Sequence, residues 1–433
     1  MRAFITLDEY WDYRTGTVHP DYDIGKPLYP LSEMHYIYDW DVVVPAPSGT
    51  RFRDYLTSHS QNAQELLLNV RRFEREVSDG VISYEEYENI FACAVEYCKE
   101  LAPNIRWIEC CNEVDIARFG MLTPDEYVKI FLCCRRAINK LNAKHNYPIP
   151  LQLGGYASAH PLTHWSHMAA VIKGLHAAGE QMDFYAYHMY DSPNSRTLIT
   201  ENKDVETASL SGVNKLKRTV ELHRELLRQE GLQDNPIFFN EIGRAKATGV
   251  DGDSLHNAAG NISYLLALDA EELRNVALFP WCTFHNPQLQ MSYTQYLLKD
   301  DGSYVATPNG IAMEMLHKFR GQRLQCTVSG CSHPDASYFA GAAKDEDTLY
   351  LICTNPTGDT VACETVIEGL EDGQYISELY RCDRINNNCI TGDGDGTLAP
   401  RNSKPRTITG GTFRHMLFLE SDSFQMYILR KIP

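Results

Sequence analysis

The chain lacks the signatures of several large functional classes. No stretch of its 433 residues approaches the roughly 18 consecutive apolar residues that a membrane-spanning helix needs, so no membrane partner is expected. His-Glu-x-x-His and Cys-x-x-Cys are missing, which removes the usual zinc motifs. Gly-x-Ser-x-Gly is missing too, and with it the serine nucleophile elbow. No glycine-rich turn follows a first strand to cradle a nucleotide. Neither a metal nor a cofactor is therefore expected. Basic residues are scarce: 40 Lys and Arg against 57 Asp and Glu give a formal charge of -17, which disfavours nucleic acid and suits a neutral or cationic ligand. No charged segment followed by an apolar one opens the chain, since Met1-Arg2-Ala3-Phe4-Ile5-Thr6-Leu7 runs into Asp8-Glu9. A cytoplasmic location is the expectation, or a secreted one if a leader has been removed. The 13 cysteines are odd in number and many fall inside apolar elements, so they read as small buried hydrophobes with reduced thiols. Cys326 with Cys331, or Cys382 with Cys389, could close short loops, but their spacing does not demand it.

What is present is a regular alternation. Ser83 to Leu101 carries apolar residues at helical spacing, with a capping-box start at Ser83 and Glu86 and a stop at Pro103. The apolar run Trp107-Ile108-Glu109-Cys110-Cys111 follows and leads to Asn112-Glu113. Thr123-Pro124-Asp125-Glu126 opens a second helix, to about His145. The pattern then repeats: a strand at 151–156, a helix to about Ala178, a strand at 184–190, a helix to about Gln229, and a strand from Pro236 to Glu241. A helix from about Ser254 to Leu273 and a strand from Val276 to Trp281 complete the series, and a last helix runs from Pro308. Strand ends at 113, 156, 190, 241 and 281 are spaced like β/α-barrel units with enlarged loops. The expected class is α/β, a (β/α)8 TIM barrel over residues 1–321. Three further strands would have to lie before Ser83, with candidates at Ala3 to Leu7, His35 to Val44 and Glu65 to Val70. After Gly321 the texture changes to short alternating segments separated by Asn-Pro and Asp-Gly turns, which predicts an antiparallel β-sandwich domain over 322–433.

A strand apolar on both faces does not tolerate an ionisable group in its interior, so a glutamate at its carboxyl end is expected in a cleft or paired. Glu113 and Glu241 occupy such ends, on the expected strands 4 and 7. Two carboxyl groups facing each other across a barrel mouth can supply an acid and a nucleophile about 5 to 5.5 Å apart. His188 and Tyr190 close the strand between them and Trp281 closes the last one, although alternation with Tyr185, Tyr187 and Met189 also fits a plain core strand. Asn112 would equally suit a turn, and Trp281 a cap over the barrel.

Asn112-Glu113, His188, Tyr190, Glu241 and Trp281, in this order and strand placement, resemble clan A of the glycoside hydrolases, retaining enzymes on (β/α)8 barrels. A barrel followed by a β-sandwich looks most like family 39 and its relatives. The resemblance covers about Ser83 to Gly321. It implies a retaining hydrolase of β-glycosidic bonds in an oligo- or polysaccharide, with a carbohydrate as its partner. Glu113 would be the general acid and base, Glu241 the nucleophile, Asn112 a contact of the sugar 2-hydroxyl, Tyr190 an orienting group for Glu241, His188 a support for the acid or a sugar hydroxyl, and Trp281 a sugar platform. The clan usually also places an arginine against the nucleophile near the end of strand 2, and Arg51, Arg71 and Arg72 are the candidates. A retaining α-L-arabinofuranosidase-like enzyme and a non-catalytic carbohydrate-binding barrel are the alternatives.

Overall fold

A computed structural model describes residues 1–38, 49–191, 210, 212–244, 253–281, 291–392 and 394–432. Seven of its strands run parallel: β1 (Arg2–Thr6), β2 (Leu66–Arg71), β3 (Ile105–Cys110), β4 (Gln152–Gly154), β5 (Tyr185–Asp191), β6 (Ile237–Arg244) and β7 (Val276–Pro280). β1 to β4 form one sheet in chain order, and β5 to β7 form another. Parallel bridges from Gly154 to Phe184 and from Ser158 to Tyr187 join the two.

The expected strand count is corrected at its start. β1 pairs directly with β2, so no strand lies between them in the sheet. Of the candidate at His35 to Val44, residues 35–38 are not strand and 39–44 lie outside the described residues. Among the described strands, Asn112 and Glu113 follow the third and Glu241 lies on the sixth. Three βα units still separate the two glutamates.

Helices α1 (Phe52–Gln61), α2 (Tyr84–Leu101), α3 (Pro124–His145), α4 (Trp165–Ala177), α5 (Gly212–Glu230), α6 (Asp253–Ala267) and α7 (Pro308–Lys318) follow the strands. Local chemistry fixes their starts. Ser83 accepts the Glu86 N–H at 3.1 Å, and Thr123 and Glu126 form a reciprocal capping box with Pro124 in the first turn. One strand face meets the helices in the main core, where Ile5, Leu68, Val70 and Ile108 pack with Phe91, Val95, Ile130 and Phe131. On the opposite face, Leu67, Trp107, Phe184, Ala186, Phe238, Ala277 and Phe279 form a separate cluster contributed from both sheets. That face also carries Arg2, Phe4, Asn69, Glu109, His188 and Tyr190, because strand side chains alternate.

From Gln322 the strands are antiparallel. β8 (Gln322–Leu324), β9 (Ala340–Asp345), β10 (Thr348–Asn355), β12 (Gly373–Cys382), β13 (Asn402–Ile408) and β15 (Ser423–Lys431) form a six-stranded sheet, while β11 (Val361–Glu368) and β14 (Thr412–Leu419) form a separate ribbon. Phe413, Leu417 and Leu419 of the ribbon pack on Leu349, Tyr375, Tyr427 and Leu429 of the sheet. The other sheet face lies against α6 and α7, with Ile352, Phe424, Met426 and Ile428 meeting Ile262, Leu266, Ile311 and Met315. Polar contacts fasten the same junction: Thr354 Oγ1 donates to the Ala259 carbonyl at 2.7 Å, and His256 meets Asp422 at 2.6 Å. The twelve described cysteines, Cys326, Cys331, Cys382 and Cys389 among them, are free. No helix of the described residues is long and apolar enough to cross a membrane.

Candidate active site

Two irregularities of the backbone aim the glutamates. β3 ends at Cys110, three residues before Glu113 rather than at it, and both Cys111 (φ 69°) and Glu113 (φ 49°) are left-handed. Such conformations cost a non-glycine residue about 1 kcal/mol or more and persist only where neighbours hold them. The holders are the flanking strand ends, since Cys111 N–H donates to the Val70 carbonyl at 2.9 Å and Glu113 N–H to the Tyr156 carbonyl at 2.8 Å. On the other side, β6 continues past Glu241 to Arg244, so Glu241 does not end its strand. It sits at a bulge: Phe239 pairs with Tyr187 but Glu241 with His188, which leaves Asn240 as the extra residue. β7 sees the same irregularity between Phe239 and Ile242. In a regular strand Asn240 and Glu241 would face opposite ways. The bulge turns both toward one set of partners.

Those partners meet on Arg2. Its Nε and Nη2 donate to Glu109 Oε2 at 2.9 and 2.7 Å, Nη2 also to Asn112 Oδ1 at 2.8 Å, and Nη1 to Glu241 Oε1 at 2.5 Å. Burial works against the charge on Arg2, but the Glu109 and Glu241 carboxylates outweigh it and its pKa is raised. The arginine that pairs with Glu241 is thus on β1, whereas Arg51 pairs with Asp23, Arg72 with Asp8, and Arg71 lies over the Phe4 ring. Glu109 contradicts the expectation that a strand interior excludes ionisable groups. It is fully buried, yet Arg2, Asn69 (2.8 Å) and Asn240 (2.5 Å) all donate to it. An unpaired buried carboxylate would cost several kcal/mol, and this donor set is what makes the position tenable.

His188 is fully buried between the two glutamates. Its Nδ1 lies 2.5 Å from Glu113 Oε1 and 3.3 Å from Glu241 Oε2. Burial lowers its pKa to about 4, so the ring is neutral at pH 7. A proton on Nδ1 serves both carboxylates, whereas one on Nε2 would have no acceptor among the described residues. The Tyr190 hydroxyl donates to Glu241 Oε2 at 2.6 Å, and burial followed by the Glu241 charge keeps that phenol protonated. Asn112, 4% exposed, gives its Oδ1 to Arg2. Trp281 hangs on β6 through its backbone N–H, which donates to the Ile242 carbonyl at 2.7 Å, and its ring meets Phe4 edge-on at 6.2 Å.

The environments of the glutamates differ. Glu241 accepts from Arg2 and Tyr190. Glu113, with 13% of its side chain exposed, has its pKa raised to about 8, first by burial and then by the charge of Asp115. Asp115 itself stays ionised: burial is outweighed by His164, the Ala159 N–H and Ser158, which hold its pKa below the usual carboxylate range. One oxygen each of Glu113 and Glu241 and a nitrogen of His188 lie within 4.8 Å of one another, a spacing that would also admit a divalent cation.

The residues expected from the sequence are Asn112, Glu113, His188, Tyr190, Glu241 and Trp281. The first five share this one network and Trp281 borders it through Phe4. Sequence reasoning missed Arg2, Glu109, Asn69, Asn240 and Asp115. The charge of Glu109 inside an apolar run was the available signal for the buried pair.

No family model and no curated protein matches the chain. Solved structures do. A glucosidase from Croceicoccus marinus superimposes with TM-score 0.61 at 15% identity, over 88% of this chain and 81% of that one. A family 39 glycoside hydrolase from Xanthomonas axonopodis pv. citri gives TM-score 0.59 at 11% identity, over 85% and 79%. A β-xylosidase from Caulobacter crescentus gives 0.57 at 15%, over 81% and 76%. The chain has the fold of the clan A glycoside hydrolases. At such identities the likeness is one of fold alone.

Proposed function

We propose that the chain is a retaining glycoside hydrolase that cleaves β-glycosidic bonds of an oligo- or polysaccharide by double displacement. The observation that carries this reading is the pair of carboxyl groups with oxygens within 4.8 Å and opposite surroundings. A retaining pair is about 5 to 5.5 Å apart, whereas an inverting pair needs roughly 6.5 to 9.5 Å to admit a water. Glu113, protonated up to pH about 8, gives its proton to the leaving oxygen. Glu241, oriented by Arg2 and Tyr190, attacks the anomeric carbon and forms the glycosyl-enzyme. That ester removes the Glu241 charge, and Glu113, now a carboxylate, takes a proton from the attacking water. His188 holds the two carboxyls at their spacing. Asn112 offers its amide to the sugar 2-hydroxyl, and Trp281 with Phe4 offers an apolar wall to the C–H face of the ring.

Residues 1–321 are read as a (β/α)8 catalytic barrel, seven of whose parallel strands lie among the described residues, and 322–433 as a β-sandwich accessory domain. Closure is supported by the contacts of β1 with the far strands, Arg2 to Glu241 and Phe4 to Trp281, and by the apolar cluster drawn from both sheets. The glucosidase and xylosidase among the similar structures make β-glucosides and β-xylosides the first substrates to assay.

The test uses 4-nitrophenyl β-glycosides. Glu241→Ala should abolish hydrolysis, and Glu113→Ala should keep activity on this good leaving group and be accelerated by azide. Proton NMR should show the first-formed sugar with the anomeric configuration of the substrate. Wild-type-like turnover in Glu241→Ala, or an inverted product, would overturn the reading.

A further inference from the structure

We infer that Glu109 is a positioning residue that divides the charge of Arg2 between two carboxylates and so sets how tightly Glu241 is held. This rests on the double-displacement reading, in which Glu241 must be both ionised and free enough to attack.

A single guanidinium, that of Arg2, joins Glu109, Asn112 and Glu241 to one another. Two of its nitrogens go to Glu109 and one to Glu241, so the larger share of its pairing is directed away from Glu241. Both its own side chain (4% exposed) and that of Glu109 (0%) are shut off from water, where charge interactions are weakly screened. Glu109 is anchored independently of Arg2 by the amides of Asn69 on β2 and Asn240 on β6, which fixes the guanidinium from behind. Asn69 is itself tied to the Cys111 carbonyl at 2.7 Å, within the segment that carries Asn112 and Glu113. Among the described residues, the groups facing Glu241 are Arg2 from β1, His188 and Tyr190 from β5, and Glu113 from the segment after β3. At pH 7 His188 is neutral and Glu113 protonated, so the local charge is one cation against Glu109 and Glu241. Removing the Glu109 charge leaves Arg2 wholly to Glu241. The carboxylate is then over-stabilised as an ion and weakened as a nucleophile.

The experiment measures kcat/KM against pH with a 4-nitrophenyl β-glucoside or β-xyloside. Glu109→Gln, which keeps size and one acceptor oxygen for Arg2 and Asn69 but turns the oxygen facing Asn240 into a donor, should lower kcat and move the acidic limb to lower pH by on the order of one pH unit. Asn69→Ser, which removes a competing donor from Glu109 and draws Arg2 toward it, should move that limb the opposite way. Lower activity with unmoved limbs in both variants would mean that Glu109 merely supports the fold, and the inference would be overturned. If Glu109→Gln does not unfold cooperatively like the wild type, Asn69→Ser decides alone. Glu241→Ala in the same assay separates the two levels. Its inactivity with unmoved limbs elsewhere overturns only the role of Glu109, whereas its activity would remove the nucleophile and this inference with it.

Discussion

Replacing Glu113 by glutamine should stabilise the protein, and increasingly so as the pH rises. The carboxyl is held at a pKa of about 8 against an ordinary value of 4.5, by burial first and by Asp115 second. A raised carboxyl pKa means that the folded state binds the proton more tightly than the unfolded chain. The stability it confers is complete below pH 4.5 and is lost as the pH climbs toward 8. The span corresponds to about 5 kcal/mol at about 1.4 kcal/mol per pH unit, of which about 2 kcal/mol is already lost at pH 6. Glutamine carries no charge at any pH, so it escapes the whole decline.

The assay is urea denaturation of wild type and Glu113→Gln between pH 5 and 9, compared as the difference in unfolding free energy. The difference is the diagnostic quantity, because Glu9 (raised to about 8) and Glu76 (raised to about 7) impose declines of the same sign on both proteins. It should grow in favour of the variant up to pH about 8 and then level. A flat difference would refute the argument, since it would mean that the folded protein does not favour the protonated acid. The kinetic counterpart is a basic limb of kcat/KM near pH 8 that Asp115→Asn moves to lower pH, because it removes the second-largest cause of the raised value.

Tyr190→Phe deletes one charge-assisted hydrogen bond to Glu241, worth about 1.5 to 3 kcal/mol, and should cost roughly 10- to 150-fold in kcat/KM on aryl glycosides if the bond is made in the reacting state. Unchanged kinetics would show that the bond is not made in the reacting state. Exhaustive EDTA treatment should leave hydrolysis intact; loss restored by a divalent ion would instead favour a metal among Glu113, His188 and Glu241. Gly154→Ala should destabilise by about 3 kcal/mol, because a methyl there would sit 2.5 Å from the Phe184 carbonyl oxygen, at a bridge joining the two parallel sheets. A midpoint within error of the wild type in urea would show that the junction is loose.

The alternation of β and α elements was legible because each helix has its own local start signal and each strand a buried run, as at Ser83, Thr123 and Leu66 to Val70. The site glutamates were legible because an acidic residue next to such a run must be paid for by function or partners. What escaped depends on register rather than on composition. Nothing local in Arg2-Ala3-Phe4 says that this arginine spans to β6, because the contact closes 239 residues of sequence. The candidate strand at His35 to Val44 fails on pairing rather than composition: Phe4 of β1 pairs directly with Asn69 of β2, which leaves no place for a strand between them in the sheet, and local sequence does not record that.

The bulge at Asn240 ties these two kinds of information together. A regular β6 could present either an amide to Glu109 or a carboxylate to the cleft, but not both from adjacent positions. The extra residue lets Asn240 satisfy the buried Glu109 while Glu241 reaches the other end of the same guanidinium, 2.5 Å from Nη1. The opposing carboxyl is aimed by a different device, the left-handed turn at Cys111 and Glu113, clamped by Val70 on one side and Tyr156 on the other. Each device costs local stability. They are held by long-range strand pairing and by buried polar bonds, so loosening the floor of the site at Asn69 or Asn240 should disturb the spacing of Glu113 and Glu241 before it unfolds the chain.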